Sequence, residues 1–306
     1  MNSLIKSKNN NTKIILKYYL IIIILTIYAT YKNGYILFQK ELINFISIFK
    51  PFLMVFLALF ITYLINYIIQ KLIQKKDYSL LVDYHPLYLT LLTLALPLNT
   101  NIIVFSISII IFNILLNFIH FKDINYYAIL KLLIILALVL INSYTYQTAY
   151  SLNIETDLST IDIFFGKGIG GLATSNVLLL IICYLILSLD KTYKKEIPFI
   201  AFITYFIILA IACFIVNKPI ILEVTKFISG EFIYAIIFIA TIPHYSPLSR
   251  TGKLIYAIII GILTFFINNL TNVYEGVFIS IIIVNVLNII LQKLIKPILS
   301  RQINDK

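Results

Sequence analysis

Apolar runs of membrane-spanning length recur almost end to end in this chain, and they constrain its fold more than any other feature. A helix needs about 20 mostly apolar residues to cross a bilayer. Ten stretches approach that length: 14–31, 51–74, 79–97, 101–120, 126–145, 168–189, 196–217, 230–247, 252–270 and 275–296. Composition agrees. Hydrophobic residues make up 61% of the 306, charged residues 12%, and mean hydropathy is +0.98. Soluble domains carry far more charge. The expected fold is an all-α integral membrane protein of about ten transmembrane helices. The first run is as long as a span and lacks a small-residue cleavage site, which reads as a retained helix rather than a signal peptide.

The net charge of +11 is explained by topology. With ten spans and the N-terminus inside, cytoplasmic segments hold about 16 Lys/Arg and external loops about 6. Lys17 and Lys131 fall within spans. This bias predicts a multi-pass protein of the cell membrane with both termini cytoplasmic and the 146–167 loop outside. The basic residues form no continuous stripe, so nucleic acid is not an expected partner. Cys183 and Cys213 lie in apolar runs without metal-ligand spacing and read as buried thiols. No metal-binding motif, nucleophile elbow or phosphate-binding loop is present.

Two of the runs are broken by proline. Leu94-Ala95-Leu96-Pro97 ends the third, and Ala240-Thr241-Ile242-Pro243-His244 ends the eighth. Each broken run is third of five in its half. An odd number of spans per half makes the second half enter from the opposite side. The expectation is two five-helix inverted repeats, 1–150 and 151–306, with broken third helices meeting near the membrane centre. Irregular backbone survives at that depth only where protein or a watery cavity satisfies it. The turn Pro243, His244, Tyr245, Ser246 is therefore expected to line a functional cavity. Asp83 and His85, ionisable groups in an apolar segment, are candidates for proton relay or cofactor contact, or they sit at the interface if that helix starts later. Asn113, Asn117, Asn268, Asn269 and Asn285 are candidates to bridge helices. The glycine-rich turn at Gly170-Gly171, before a helix start, offers backbone N–H groups to an anion or carbonyl.

The residues from 240 onward resemble a known family: the membrane subunits that include the D subunit of Rnf-type electron-transport complexes and the B subunit of sodium-translocating NADH:quinone reductases (NqrB/RnfD). The resemblance rests on Ala240-Thr241-Ile242-Pro243-His244-Tyr245-Ser246-Pro247-Leu248-Ser249, then Gly252-Lys253-Leu254-Ile255-Tyr256, then Glu275-Gly276-Val277 with Asn285 downstream. The family's Asp in the first motif is Ile242 here, and its Pro before Glu is Tyr274. Earlier, 77–82 and 91–97 resemble the family more loosely, Asn125 and Ala128 match a motif that has lost its glycines in 120–128, and Gly170, Gly171, Leu172, Thr174 and Ser175 fit a turn that opens the sixth span.

The resemblance implies a membrane subunit of a flavin-linked electron-transport complex that moves electrons across the membrane, with coupled ion translocation. It implies a redox, translocase-type role within a multi-subunit enzyme. Partners would be other membrane subunits and a quinone or external electron acceptor. Gly170, Gly171, Thr174 and Ser175 would border FMN or riboflavin, and Pro243, His244, Ser246 and Glu275 would line the second-half cavity. Matched family members carry FMN on a Thr in a Ser-Gly-Ala-Thr motif, and the nearest threonines, Thr160 and Thr174, lack that context. A flavin here is therefore expected to be non-covalent. The alternative reading, from the broken helices alone, is a secondary transporter or channel for an ion or small polar solute.

Overall fold

The computed structural model describes residues 8–73, 75, 83–118, 124–142, 161, 163–167, 170–217, 231–271 and 275–289. Expectations that fall on 77–82, 120–123, Tyr274, Thr160 and most of the 146–167 loop lie outside these residues.

Among the described residues every regular element is helical. Helix α1, Lys8–Thr30, continues through a π-helical turn, Tyr31–Tyr35, into Ile36–Gln39. A 3-10 turn at Phe45–Phe49 leads into α2, Lys50–Tyr67, which ends in a second π-turn, Ile68–Ile73. Then come α3 (His85–Leu94), α4 (Ile102–Phe118), α5 (Tyr126–Asn142), α6 (Val177–Ser188) and α7 (Glu196–Val216). The last are α8 (Phe232–Phe238), α9 (Arg250–Thr271) and α10 (Gly276–Ile289). Local chemistry sets several boundaries. Pro51 and Pro86 occupy first turns, where a missing N–H costs nothing. The Asn176 side chain caps α6 by accepting from the Leu179 N–H at 3.0 Å. Asn217 closes α7 in the left-handed conformation.

Among the described residues four helices are long and apolar enough to cross a membrane: 12–39, 45–73, 196–216 and 250–270. α4, α5, α6 and α10 are shorter apolar helices. The long helices wear their apolar residues outward. On α2, Phe52, Phe56 and Phe60 are exposed, whereas Thr62 and Asn66 on the inward side are buried. In water such a surface would drive aggregation; in a bilayer it faces lipid, and the polar groups turn inward. Asn113 donates to Thr62 at 3.3 Å and Asn117 to Asn66 at 3.0 Å, joining α4 to α2 as expected. Asn269 instead bonds the Phe265 carbonyl of its own helix.

α3 and α8 are different. At 10 and 7 residues they rise only about 15 and 10 Å, well short of a bilayer. The third and eighth apolar runs, expected as spans over 79–97 and 230–247, thus fold as half-helices. From Pro86 onward every residue of α3 is buried, as is every residue of α8. A helix apolar on all sides belongs in a core, and here the two lie against each other. Tyr234 donates its hydroxyl to the Leu91 carbonyl at 2.6 Å. Gly171 lies against both the end of α3, at Ala95, and the residue before α8, Glu231. The half-helices therefore pack antiparallel.

The connection between α6 and α7 is pinned to α1 by a Lys17–Asp190 ion pair at 3.2 Å. Partial burial alone would raise the Asp190 pKa. Bonds from the Thr192 N–H and hydroxyl, with the Lys17 ammonium, outweigh it and hold the carboxyl below its usual value.

Candidate functional site

Each half-helix stops short of a proline, α3 at Leu94 before Pro97 and α8 at Phe238 before Pro243, and its last carbonyls must be satisfied elsewhere. At the end of α3 the 170–175 turn supplies the donors. The Leu172 N–H reaches the Leu96 carbonyl and the Ala173 N–H the Leu94 carbonyl, both at 2.9 Å. Gly171 permits this approach, because a Cβ there would lie 2.7 Å from the Ala95 carbonyl oxygen. The π-turn of α1 aims Lys32 and Asn33 at the same place. Lys32 donates to the Ser175 hydroxyl, and the Asn33 amide to the Leu172 carbonyl at 2.7 Å. Lys50, the first residue of α2, donates to the Leu98 carbonyl at 2.8 Å.

The end of α8 is closed in a parallel way. Ser246 donates from both its backbone N–H, at 3.1 Å, and its hydroxyl, at 2.7 Å, to the Ile242 carbonyl. Lys194, two residues before α7, donates to the Pro243 carbonyl at 3.1 Å and to the Ser246 carbonyl and hydroxyl at 2.6 Å each. Asn125, ahead of α5, donates to the Ile239 carbonyl at 3.0 Å. Of the two ways to satisfy such backbone, protein and a watery cavity, protein accounts for these carbonyls. Lysine ammonium and asparagine amide groups from distant segments perform that role. Pro243 and His244 are exposed, while Ser246 is buried.

A charged triad lies where α8 and α10 begin. Lys131 of α5 is ion-paired with Glu231, the residue before α8, and lies 2.8 Å from Glu275, the residue before α10. Lys131 and Glu231 have no exposed surface and Glu275 has 1%. The ammonium also sits 4.0 Å above the centre of the Phe278 ring. Glu231 and Glu275 are the only buried acidic residues among the described ones. Burying such ions costs several kcal/mol each, offset only by close pairing. Gly171 touches this triad too: a Cβ there would lie 2.9 Å from Glu231 Oε1.

The expected site residues thus fall into two groups. Gly170, Gly171, Thr174 and Ser175 share one turn, of which Gly171 lies against Glu231 and so leads through Lys131 to Glu275. Pro243, His244 and Ser246 lie at the other end of α8. Glu231 was missed in the sequence, where a lone Glu after a glycine at the edge of an apolar run carries no pattern. Lys131 was visible as an intramembrane charge without a partner to give it meaning. Asp83 precedes α3 and His85 opens it. Asp83 accepts from the His85 N–H at 2.9 Å and the Asn66 amide at 3.0 Å, and the His85 ring is hydrogen-bonded to the Tyr127 hydroxyl.

The 170–175 turn does not fit a flavin. Leu172, Ala173, Thr174 and Ser175 have no exposed surface. Two of the turn's N–H groups already bond α3, and the Ser175 hydroxyl takes the Lys32 ammonium. The space that Gly171 leaves open is filled by the Ala95 backbone and Glu231.

Lipid-facing helices enclosing two proline-broken, antiparallel half-helices and a buried ion-paired triad define a polytopic membrane protein with an internal polar site. The chain belongs to the NQR2, RnfD, RnfE family, whose model matches residues 1–300, as the motifs after residue 240 indicated. It is also similar to the D subunit of the ion-translocating oxidoreductase complex of Stutzerimonas stutzeri, 38% identical over 69 residues. That match covers 22% of this chain and 20% of the relative.

Proposed function

We propose that this chain is the integral membrane subunit of an Rnf/Nqr-like electron-transport complex, working with other membrane subunits to move electrons across the cell membrane with coupled ion translocation. The observation that carries this reading is the family match over 1–300; the buried Lys131–Glu231–Glu275 triad at the starts of α8 and α10 supports it. An intramembrane charge cluster is expensive and marks an ion or proton path. Electron delivery to a quinone or external acceptor is part of the proposal. So is a non-covalent FMN or riboflavin, seated outside the 170–175 turn. When bound, a flavin supplies the one- and two-electron chemistry, and the protein supplies position and electrostatics.

The architecture we favour is a pair of inverted repeats, 1–150 and 151–306, with both termini cytoplasmic. The matched lysines support it: Lys50 at the start of α2 and Lys194 at the start of α7 each close the third helix of their own half. Cysteine labelling from outside should reach position 157 and not position 306; the reverse pattern would reject this topology.

The functional test is deletion of the coding region in the native host. Membranes should lose reduction of an external acceptor and the accompanying ion gradient, and the tagged chain should restore both and co-purify with further subunits. A second reading, a secondary transporter, draws on the same triad and broken helices. Unchanged electron transfer after deletion, together with solute flux by the chain alone in proteoliposomes, would favour it instead.

A further inference from the structure

A row of tyrosines crosses the interior where α1, α3 and α5 meet the turn beyond α8. Between ring centres, Tyr18 of α1 lies 6.3 Å from Tyr88 of α3, Tyr88 5.5 Å from Tyr127 of α5, and Tyr127 6.2 Å from Tyr245. Rings at such spacings touch edge to face, so an electron lost from one is readily replaced from the next. Tyr18, Tyr88 and Tyr127 are buried, Tyr245 is half-buried, and His244 before it is exposed. The chain has no tryptophan, which leaves phenol as its most readily oxidised ring. A buried phenol that loses an electron must also lose its proton, and it needs a base already in contact. Tyr127 has one: its hydroxyl is hydrogen-bonded to Nδ1 of His85. With the phenol donating, Nδ1 is the acceptor and the imidazole is neutral. Asp83, fixed by the His85 N–H and the Asn66 amide, supplies a negative charge near that ring, which favours the imidazolium once it forms.

We propose that Tyr127 is a redox-active tyrosine with His85 as its proton acceptor, and that the tyrosine row delivers to it oxidising equivalents that arrive at Tyr245. The oxidant is an oxygen-centred radical of the kind dioxygen yields at reduced electron carriers. A peroxyl radical takes one electron from Tyr245 and one proton from the medium and becomes a hydroperoxide. Tyr245 recovers its electron from Tyr127. The Tyr127 O–H bond breaks, its proton passes to His85 Nδ1, and a neutral tyrosyl radical is left beside an imidazolium. One electron from a reduced carrier, with return of the proton from Nδ1, restores the pair. The row is thus a sink that confines a damaging oxidant to one ring. Only the supply of the restoring electron rests on the electron-transport reading.

The test is electron paramagnetic and electron–nuclear double resonance on the purified full chain in lipid nanodiscs, frozen after a flash with ruthenium tris-bipyridine and persulfate as the one-electron oxidant. The expected result is a tyrosyl radical with a proton coupling that disappears in D₂O and a nitrogen coupling that changes when the wild-type protein is labelled with ¹⁵N-histidine. Tyr127→Phe should lose this signal. His85→Gln should leave a radical of lower yield without the nitrogen coupling. His244→Gln, at the exposed end of the row, should keep the coupling. The isotope readout is made on the wild type, so poor folding of the Tyr127 or His85 variant leaves the test intact. Absence of a tyrosyl radical in the wild type, a radical without the histidine coupling, its persistence in a folded Tyr127→Phe variant, or its loss in His244→Gln overturns the proposal. The measurement needs no partner protein. The radical in a chain whose deletion spares electron transfer rejects only the electron-transport reading, and electron transfer lost on deletion without such a radical rejects only the tyrosine–histidine pair.

Discussion

Lys194 offers a quantitative check on how the half-helices are held. Changing it to Met keeps an unbranched apolar stem of similar length and removes only the ammonium. Three hydrogen bonds disappear, to the Pro243 carbonyl and to the Ser246 carbonyl and hydroxyl. Pro243 is exposed, and water replaces the ammonium there at little cost. Ser246 is only 6% exposed, so its carbonyl is left without a donor, a loss of about 1–3 kcal/mol. Taking about 2 kcal/mol, the folded-to-unfolded ratio falls roughly thirtyfold. Lys50→Met is the natural comparison. It removes one bond, to the half-buried Leu98 carbonyl, and should cost under about 1 kcal/mol. Cys183 and Cys213 are free and buried, so a fluorogenic thiol reagent reports unfolding of the purified chain during heating. The midpoint should fall clearly for Lys194→Met, less for Lys50→Met, and recover in part for Lys194→Arg. An unchanged midpoint for Lys194→Met, or a larger fall for Lys50→Met, would refute the assignment of Lys194 as the group that closes α8.

Other outcomes follow from single contacts. Gly171→Ala places a methyl 2.7 Å from the Ala95 carbonyl oxygen and 2.9 Å from Glu231 Oε1; neither backbone nor buried triad can yield easily, so a loss of about 1–3 kcal/mol is expected, read as reduced membrane accumulation and a lower unfolding midpoint. The Asp190 carboxyl is held below its usual value, so its contribution is fully present above the unfolded-state value and is lost as pH falls through the folded one. Acidification should therefore loosen the α6–α7 connection from α1, followed by proteolysis of that loop, and Asp190→Asn should flatten this part of the pH dependence. Any flavin should leave the polypeptide on denaturing electrophoresis; a fluorescent band that vanishes in Thr174→Ala would show a covalent link and reject the non-covalent proposal.

Much of the helical plan could be read from the lengths of the apolar runs and from proline, since length and apolarity decide where a helix can meet lipid. The two breaks at Pro97 and Pro243 were legible for the same reason, and each lies a few residues beyond the end of a half-helix. The asparagine bridges from α4 were legible because an amide facing hydrocarbon must find a partner. The partners across the interior were not. Nothing in the sequence distance of 143 residues between Lys32 and Ser175, or of 100 between Lys131 and Glu231, encodes proximity. Glycine before a helix start exposes N–H groups to an anion or carbonyl, and two N–H groups of the 170–175 turn do bond carbonyls, those at the end of α3; which carbonyls they meet carries no signal in the sequence.

The shortness of α3 and α8 also bears on how the chain is made. Neither has the hydrophobic length to partition into a bilayer by itself as it leaves the ribosome, and neither keeps a face for lipid once folded. α3 is bonded by residues that arrive much later in synthesis: Leu172 and Ala173 at its end and Tyr234 at its middle. Until those are made, its carbonyls at 91, 94 and 96 have no permanent donors. The bonding of α3 is therefore complete only once the second half of the chain has been made.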